Sequence, residues 1–275
     1  MAAHLQYRVV NGLKFAPGFS FETCLSALNY KPLDDDIFIV TYPKNGTTWT
    51  QQIVILLQNN GTLPDDVAKG DMSLRSPFLE YRGTESLKQL TRPYSIKTHI
   101  EGNSHPWNPH AKYIIVLRNP KDALVSFYYH QTSSPHYGIP DLPFDDFFEL
   151  FMDGEVECGS YFDWVLSWWQ RKDFDNVMIT TYESRMKDPA GDVTQIAKFL
   201  DIVYDDDIIK RTVEMSSFGA MRETMNEWKK SNFLRKGIVG DWRTHLNNDQ
   251  NKRLQNMFHQ KFDGTGLETL WNDSM

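Results

Sequence analysis

The stretch that decides the fold is I-F-I-V-T-Y-P-K-N-G-T-T-W, residues 37–49. Ile37 to Thr41 reads as a buried strand. Pro43 and Gly46 break it, and the run Thr47 to Gln58 opens a helix directly afterwards. A helix that starts where a strand ends points its unpaired first amides, and the positive end of its dipole, at one spot where an anion binds. Lys44 adds a full positive charge at the lip of that turn, and Thr47 and Thr48 add hydroxyl donors. The segment reads as a phosphate-type cradle, a P-loop-like strand–loop–helix.

Its spacing says which kind. A nucleoside-triphosphate loop has the pattern G-x-x-x-x-G-K-[ST], with the lysine after the second glycine. Here Lys44 precedes the only glycine, Gly46, and no earlier glycine opens the loop. The dinucleotide pattern G-x-G-x-x-G is missing as well. Turn chemistry alone accounts for a Pro, a Lys and a Gly between a strand and a helix, but not for the whole string ending in Trp49. That string resembles the 5′-phosphosulfate loop of the cytosolic sulfotransferases, T-Y-P-K-S-G-T-T-W, with Asn45 as the one departure. The resemblance implies an enzyme that moves a sulfonate group from 3′-phosphoadenosine 5′-phosphosulfate (PAPS) to a hydroxyl or amine of a small molecule, leaving PAP. Lys44, Asn45, Gly46, Thr47, Thr48 and Trp49 would contact that donor.

The whole chain fits such a protein. Its 275 residues, 40% of them apolar, suffice for one large core, so a single domain over 1–275 is expected. A net charge of −7 argues against a general nucleic-acid binder. No apolar stretch is long enough to span a bilayer, and Met1 to Lys14 lacks a signal-peptide pattern. Cys24 and Cys158 have no C-x-x-C spacing, so neither a disulfide framework nor a zinc site is suggested. A reducing, cytoplasmic setting is the expectation.

Strand-like runs recur at Ile37–Thr41, Tyr94–Thr98, Tyr113–Leu117 and Val177–Thr181. Helical stretches lie between and after them, at Thr47–Gln58, Lys121–His130, Phe162–Lys172, Asp188–Leu200 and Asn248–Phe262. The alternation predicts an α/β fold with a central, mostly parallel sheet flanked by helices. Ligands in such folds sit beyond the C-terminal ends of the strands. Residues 131–143 read as a surface loop, and residues 60–93, mixed in Gly, Pro and charge, as a lid or pocket wall.

Lys97-Thr98-His99 ends the second strand, and alternation puts Lys97 and His99 on one face. A lysine beside an imidazole keeps the ring neutral and able to take a proton. In the resembled family K-T-H is the catalytic segment, which makes His99 the base. Lys44 and Lys97 would neutralise charge on the sulfonate and bridging oxygens. Arg118 ends the third strand within L-R-N-P-K-D-A-L-V-S, residues 117–126, where a guanidinium can fork onto a phosphate. By resemblance Arg118 and Ser126 hold the 3′-phosphate. The basic glycine loop F-L-R-K-G-I-V-G-D-W, residues 233–242, resembles the segment that closes over it through Arg235, Lys236 and Gly237. Tyr182 would reach the adenine. Ser216, Phe218 and Met221 match a T-S-F-x-x-M pattern in which the aromatic ring and Trp49 sandwich the purine.

The other histidines form no metal set: His105 and His110 flank prolines in a loop, His130 and His136 read as surface residues in preference to a role at the substrate mouth, and no metal is expected. The acceptor is a small molecule. Phe15, Phe78, Tyr81, Phe127, Tyr137, Phe144 and Trp164 are candidates for its apolar walls, which suit a phenol, catecholamine, steroid or alcohol. The family's dimer-contact pattern after G-D-W is not intact in residues 243–252, where Asn247, Asn248 and Lys252 stand, so a homodimer through that contact is not implied. Two rival readings are distinguishable. A magnesium-dependent kinase would need a strand-end aspartate opposite the loop, and a non-catalytic carrier would have no use for K-T-H.

Overall fold

A computed structural model describes residues 5–69, 71–224 and 234–275. Phe233, the first residue of the predicted basic loop, lies outside the described residues. Near the N-terminus β1 (Arg8–Val10) and β2 (Leu13–Phe15) form an antiparallel hairpin. Its turn is Asn11-Gly12, both at positive φ, the pairing that a tight hairpin turn selects. The central sheet contains β3 (Ile37–Thr41), β4 (Ser95–Thr98), β5 (Lys112–Leu117) and β6 (Val177–Thr181), all parallel, in the order β4-β3-β5-β6. The four predicted strands are these four, with ends shifted by at most one residue.

Both faces of the sheet are covered, which explains why its strands read as unbroken apolar runs. On β3, Phe38 and Val40 enter one core while Ile39 enters the other. On β5, Tyr113, Ile115 and Leu117 alternate in the same way with Ile114 and Val116. The first core is closed by Trp164 and Trp168 of helix Tyr161–Trp169, Phe147 and Phe151 of helix Phe144–Met152, and Leu254, Phe258 and Phe262 of helix Asn248–Phe262. The second is closed by Ile53, Val54 and Leu57 of helix Thr47–Gln58 and by Val193, Ile196 and Ala197 of helix Pro189–Phe199.

Caps set the helix boundaries. Helix Pro120–Ser133 starts where the Asn119 side chain accepts from the Lys121 amide at 2.8 Å, with Pro120 in the first turn. It runs three residues past the predicted end because no breaker occurs before Pro135. Asp188 and Ser160 cap the next two predicted helices, which start at Pro189 and Tyr161.

The chain passes from β3 to β4 on one side, then crosses to β5 on the other. The direction of winding therefore reverses between β3 and β5, where the crevice of an open parallel sheet lies. The loop after Thr41, His99 after β4, Arg118 after β5 and Tyr182 after β6 all emerge at that edge.

Candidate active site

The loop after β3 is curled by Lys44 at φ 70° and Gly46 at φ 98°. Gly46 caps helix Thr47–Gln58 with no side-chain partner, so the first turn's amides face the crevice. The left-handed backbone favours glycine at position 46, and a Cβ there would stand 3.2 Å from the Tyr182 ring, so any side chain would also have to push that ring aside slightly. The Thr47 hydroxyl bonds that of Thr41 at 2.6 Å, and Asn45 is buried beneath the loop. Lys44 is pushed down to about 7 by burial, with the Arg118, Lys97 and Arg235 charges adding to the effect.

Arg118 ties this loop to two others. Its Nη1 donates to the Lys44 carbonyl at 3.0 Å and its Nη2 to the Ile238 carbonyl at 3.3 Å. The guanidinium lies 4.2 Å from the Tyr182 ring centroid, and its buried Nε has no protein partner. The remaining motif residues act as braces. Asp122 accepts from the Gly240 amide at 2.7 Å and the Trp242 amide at 3.0 Å, which fixes the end of the basic loop. Glu183 accepts from the Asn119 amide and the Trp271 indole, both at 2.9 Å. Arg235 and Lys236 both pair with Asp241, so their charge is shared with a carboxylate. Gly237, at φ 66°, lies so close to Phe218 that a Cβ would sit 2.5 Å from the ring.

At the end of β4 the alternation holds. Thr98 turns away from the crevice, and its hydroxyl donates to Glu80 Oε1 at 3.1 Å; the same oxygen accepts the His99 amide at 2.6 Å. Glu80 is pushed up to about 7 by burial. Lys97 and His99 face the crevice. Lys97 Nζ stands 3.8 Å from the Phe78 ring centroid, and burial pushes it down to about 8 against the pull of Glu80 and Glu157. His99 Nδ1 is 2.6 Å from the Thr41 carbonyl oxygen, which can only accept. That contact assigns the proton to Nδ1 and leaves Nε2 as the ring's acceptor. Burial, then the Lys97 charge, hold the imidazole well below its usual value, so it is neutral at pH 7. Trp164 fixes the backbone here by donating to the His99 carbonyl at 2.8 Å.

One cavity of about 550 Å³ joins these parts. Lys44, Gly46, Thr47, Thr48, Trp49, Arg118, Ser126, Tyr182, Ser216, Phe218, Met221, Arg235, Lys236 and Gly237 line it, as do Lys97 and His99. Of the residues predicted for the donor and for catalysis, Asn45 alone is off the wall. Trp49 and Tyr182 meet edge to face at 5.5 Å.

The residues expected to wall an acceptor divide into two groups. Phe78, Tyr81 and Tyr137 line the cavity. Phe15, Phe127, Phe144 and Trp164 belong to the hydrophobic core or pack against it, because burial alone does not distinguish a cavity wall from packing. The 131–143 segment is more than a surface loop: its short 3-10 turn, Pro135–Tyr137, buries Tyr137. His130 is half-buried on the wall rather than a surface residue, and burial holds it well below its usual value. Its place was readable, because Ser126 and His130 are one helical turn apart on the same face. Phe19 and Glu157 also line the cavity, and nothing in their local sequence marked them. Among the described residues no group of three or more His, Cys, Asp or Glu is arranged to hold a metal ion. No helix among them is long and apolar enough to cross a membrane.

A family model described as the sulfotransferase domain matches residues 34–266. The chain belongs to the sulfotransferase family. As a family member it is a transferase of sulfonate groups. It is 32% identical to human sulfotransferase 1C2 over 263 residues, covering 87% of each chain. It is 33% identical to mouse sulfotransferase 1B1, covering 88% of this chain and 89% of that one. Among solved structures, mouse sulfotransferase SULT7A1 complexed with PAP superposes with a TM-score of 0.78 at 27% identity, over 95% of each chain. A retinol dehydratase in complex with androsterone and inactive cofactor PAP shares the fold, with a TM-score of 0.82 at 23% identity, over 96% of this chain and 91% of that one.

Proposed function

We propose that this sulfotransferase domain, spanning 1–275, takes PAPS as donor, releases PAP, and transfers the sulfonate to a hydroxyl or amine of a small apolar or aromatic acceptor in the cytoplasm. The observation that carries the reading is His99: a neutral ring with its Nδ1 proton committed to Thr41, on the wall of a cavity it shares with Lys44 and Lys97.

The cavity suits the donor. The uncapped amides of Gly46 to Thr48 suit the 5′-phosphate, and the buried, unpartnered Nε of Arg118 is a donor still to be satisfied. Arg118, Ser126, Arg235, Lys236 and Gly237 would hold the 3′-phosphate, which would compete with Asp241 for the last loop's charges. Trp49, Tyr182 and Phe218 would flank the adenine, with Ser216 and Met221 behind them, and Asn45 would support the loop from below.

PAPS supplies the electrophilic sulfur: as the acceptor oxygen or nitrogen bonds to it, the bond to the 5′-phosphate's bridging oxygen breaks. His99 Nε2 takes the acceptor's proton in that step. Lys44 and Lys97 neutralise the charge that builds on the sulfonate and bridging oxygens. Partial desolvation keeps both lysines poised, since an incoming anion restores their protons. A transferring sulfonate carries less charge than a phosphoryl group, so the residues named suffice without a metal.

The test is His99→Ala. Turnover should fall by about 10²–10⁴, while PAP affinity by calorimetry stays within about twofold. Turnover at the parent rate would reject the assignment.

A further inference from the structure

The end of the cavity proposed for the adenine carries a cation that the donor reading leaves unused. Arg185, fully buried on the short helix Tyr182–Lys187, lines the cavity. Its guanidinium stands 5.2 Å from the Trp49 ring centroid. Two of its nitrogens are held: Nε donates to Asp192 Oδ2 at 2.5 Å, and Nη1 donates to the Thr50 hydroxyl at 2.7 Å. Those partners are themselves fixed. Thr180 donates to the other Asp192 oxygen at 2.5 Å, and Thr50 donates to the Gly46 carbonyl at 3.1 Å. Nη2 is buried and has no hydrogen-bond partner among the described residues.

A guanidinium has only donors, and one left unpaired out of water is costly. Pairing with Asp192 accounts for the charge of Arg185 but not for a nitrogen left over in a side chain on the cavity wall. Anchored at Nε and Nη1, the guanidinium plane is fixed, and Nη2 keeps one direction. What answers it is an acceptor that enters the cavity. The group proposed for that place is a purine, whose ring nitrogens N3 and N7 accept hydrogen bonds, as does N1 of adenine. Stacking against Trp49, Tyr182 and Phe218 tolerates any base, because every base has a ring face. A fixed donor at the ring's edge does not.

We propose that Arg185 is a base-reading residue of the donor site, donating from Nη2 to a ring nitrogen of the adenine. This rests on the donor reading above and adds to it a residue outside the motifs that carry the family resemblance. The flanking rings supply affinity for a base, and Arg185 supplies the choice among bases.

The experiment titrates the chain with PAP and with three PAP analogues, in which N1, N3 or N7 of the adenine is replaced by C–H, and reads Kd by calorimetry. At least one analogue should bind about tenfold or more weaker than PAP, the scale of one charged hydrogen bond. Arg185→Lys keeps a positive charge beside Asp192 but has no fork to span both partners. In that variant the same analogue and PAP should bind within about threefold of each other. Equal binding of PAP and all three analogues by the parent chain overturns the assignment, and so does a loss that is unchanged in Arg185→Lys. If that variant does not fold, Arg185→Met combined with Asp192→Asn removes the buried pair together and is read in the same way. Failure of PAP to bind the parent chain would defeat the donor reading and Arg185 with it. PAP binding with no preference for any ring nitrogen defeats Arg185 alone.

Discussion

The two ends of the cavity are built differently. The end proposed for the donor comes from short, continuous motifs at the ends of adjacent parallel strands: the turn after β3, Arg118 after β5, Tyr182 after β6 and the loop at Arg235. Its parts hold one another through backbone-directed bonds, Arg118 to the Lys44 and Ile238 carbonyls and Asp122 to two amides of the basic loop. The end proposed for the acceptor is assembled from Phe19, Phe78, Tyr81, Tyr137 and Glu157, which come from segments outside the four strands, Phe78 being joined to β4 by a single bridge to Lys97. One end is positioned by the sheet and the other by connections around it. An invariant donor calls for the first arrangement, and a variable acceptor for the second.

That contrast can be broken at either end. The largest effect on PAP affinity is expected from Gly46→Ala, which forces a side chain into a left-handed turn and against the Tyr182 ring. Strain of about 1–3 kcal/mol should weaken PAP binding about tenfold or more; unchanged calorimetric affinity would show the loop to be softer than its geometry implies. Next comes pH. Lys44, at about 7 in the ligand-free chain, should rise when an anion binds beside it. Binding then takes up a proton above pH 7, so affinity is full below that pH and falls as pH rises. A loss of about fivefold from pH 7 to 8 is expected, with proton uptake visible in buffers of different ionisation enthalpy. Affinity rising with pH would contradict the sign.

Asp122→Asn retains one acceptor oxygen where two amides now bond, and should weaken PAP binding about threefold through loss of one hydrogen bond. The smallest effect sharpens the comparison from the other end. Tyr137→Phe removes the hydroxyl donor to Glu157 and should move acceptor KM about twofold with PAP affinity unaltered. A matching change in PAP affinity would mean that the two ends are one unit.

The same contrast explains what the sequence made legible. The strands of the central sheet and the helix after Gly46 could be located because each apolar run is bounded by Pro, Gly or a capping residue, and the parallel sheet then carries every strand-end residue to one edge. Thr98 pointing to Glu80 while Lys97 and His99 face the cavity follows from the strand period alone. The acceptor walls were less legible because apolar composition marks burial, not direction. Phe78 and Phe127 read alike, yet one faces the cavity and the other the core. Glu157 depends on long-range packing through Tyr42 and Tyr137, contacts that sequence spacing does not encode. The hairpin at Asn11-Gly12 did carry a local turn pattern. The Asp241 pairing of Arg235 and Lys236 is a further limit, since a basic loop shows its charge in sequence but not the carboxylate that shares it.

The central claim is that His99 stands ready as a neutral base with its free nitrogen on the cavity side. The most direct measurement is a nitrogen-15 NMR titration of the His99 ring in the ligand-free chain, assigned with His99→Gln. The ring should be neutral at pH 7 with its proton on Nδ1, and should not titrate until well below the ordinary imidazole value of about 6.5. An imidazolium at pH 7, or a proton found on Nε2, would contradict it.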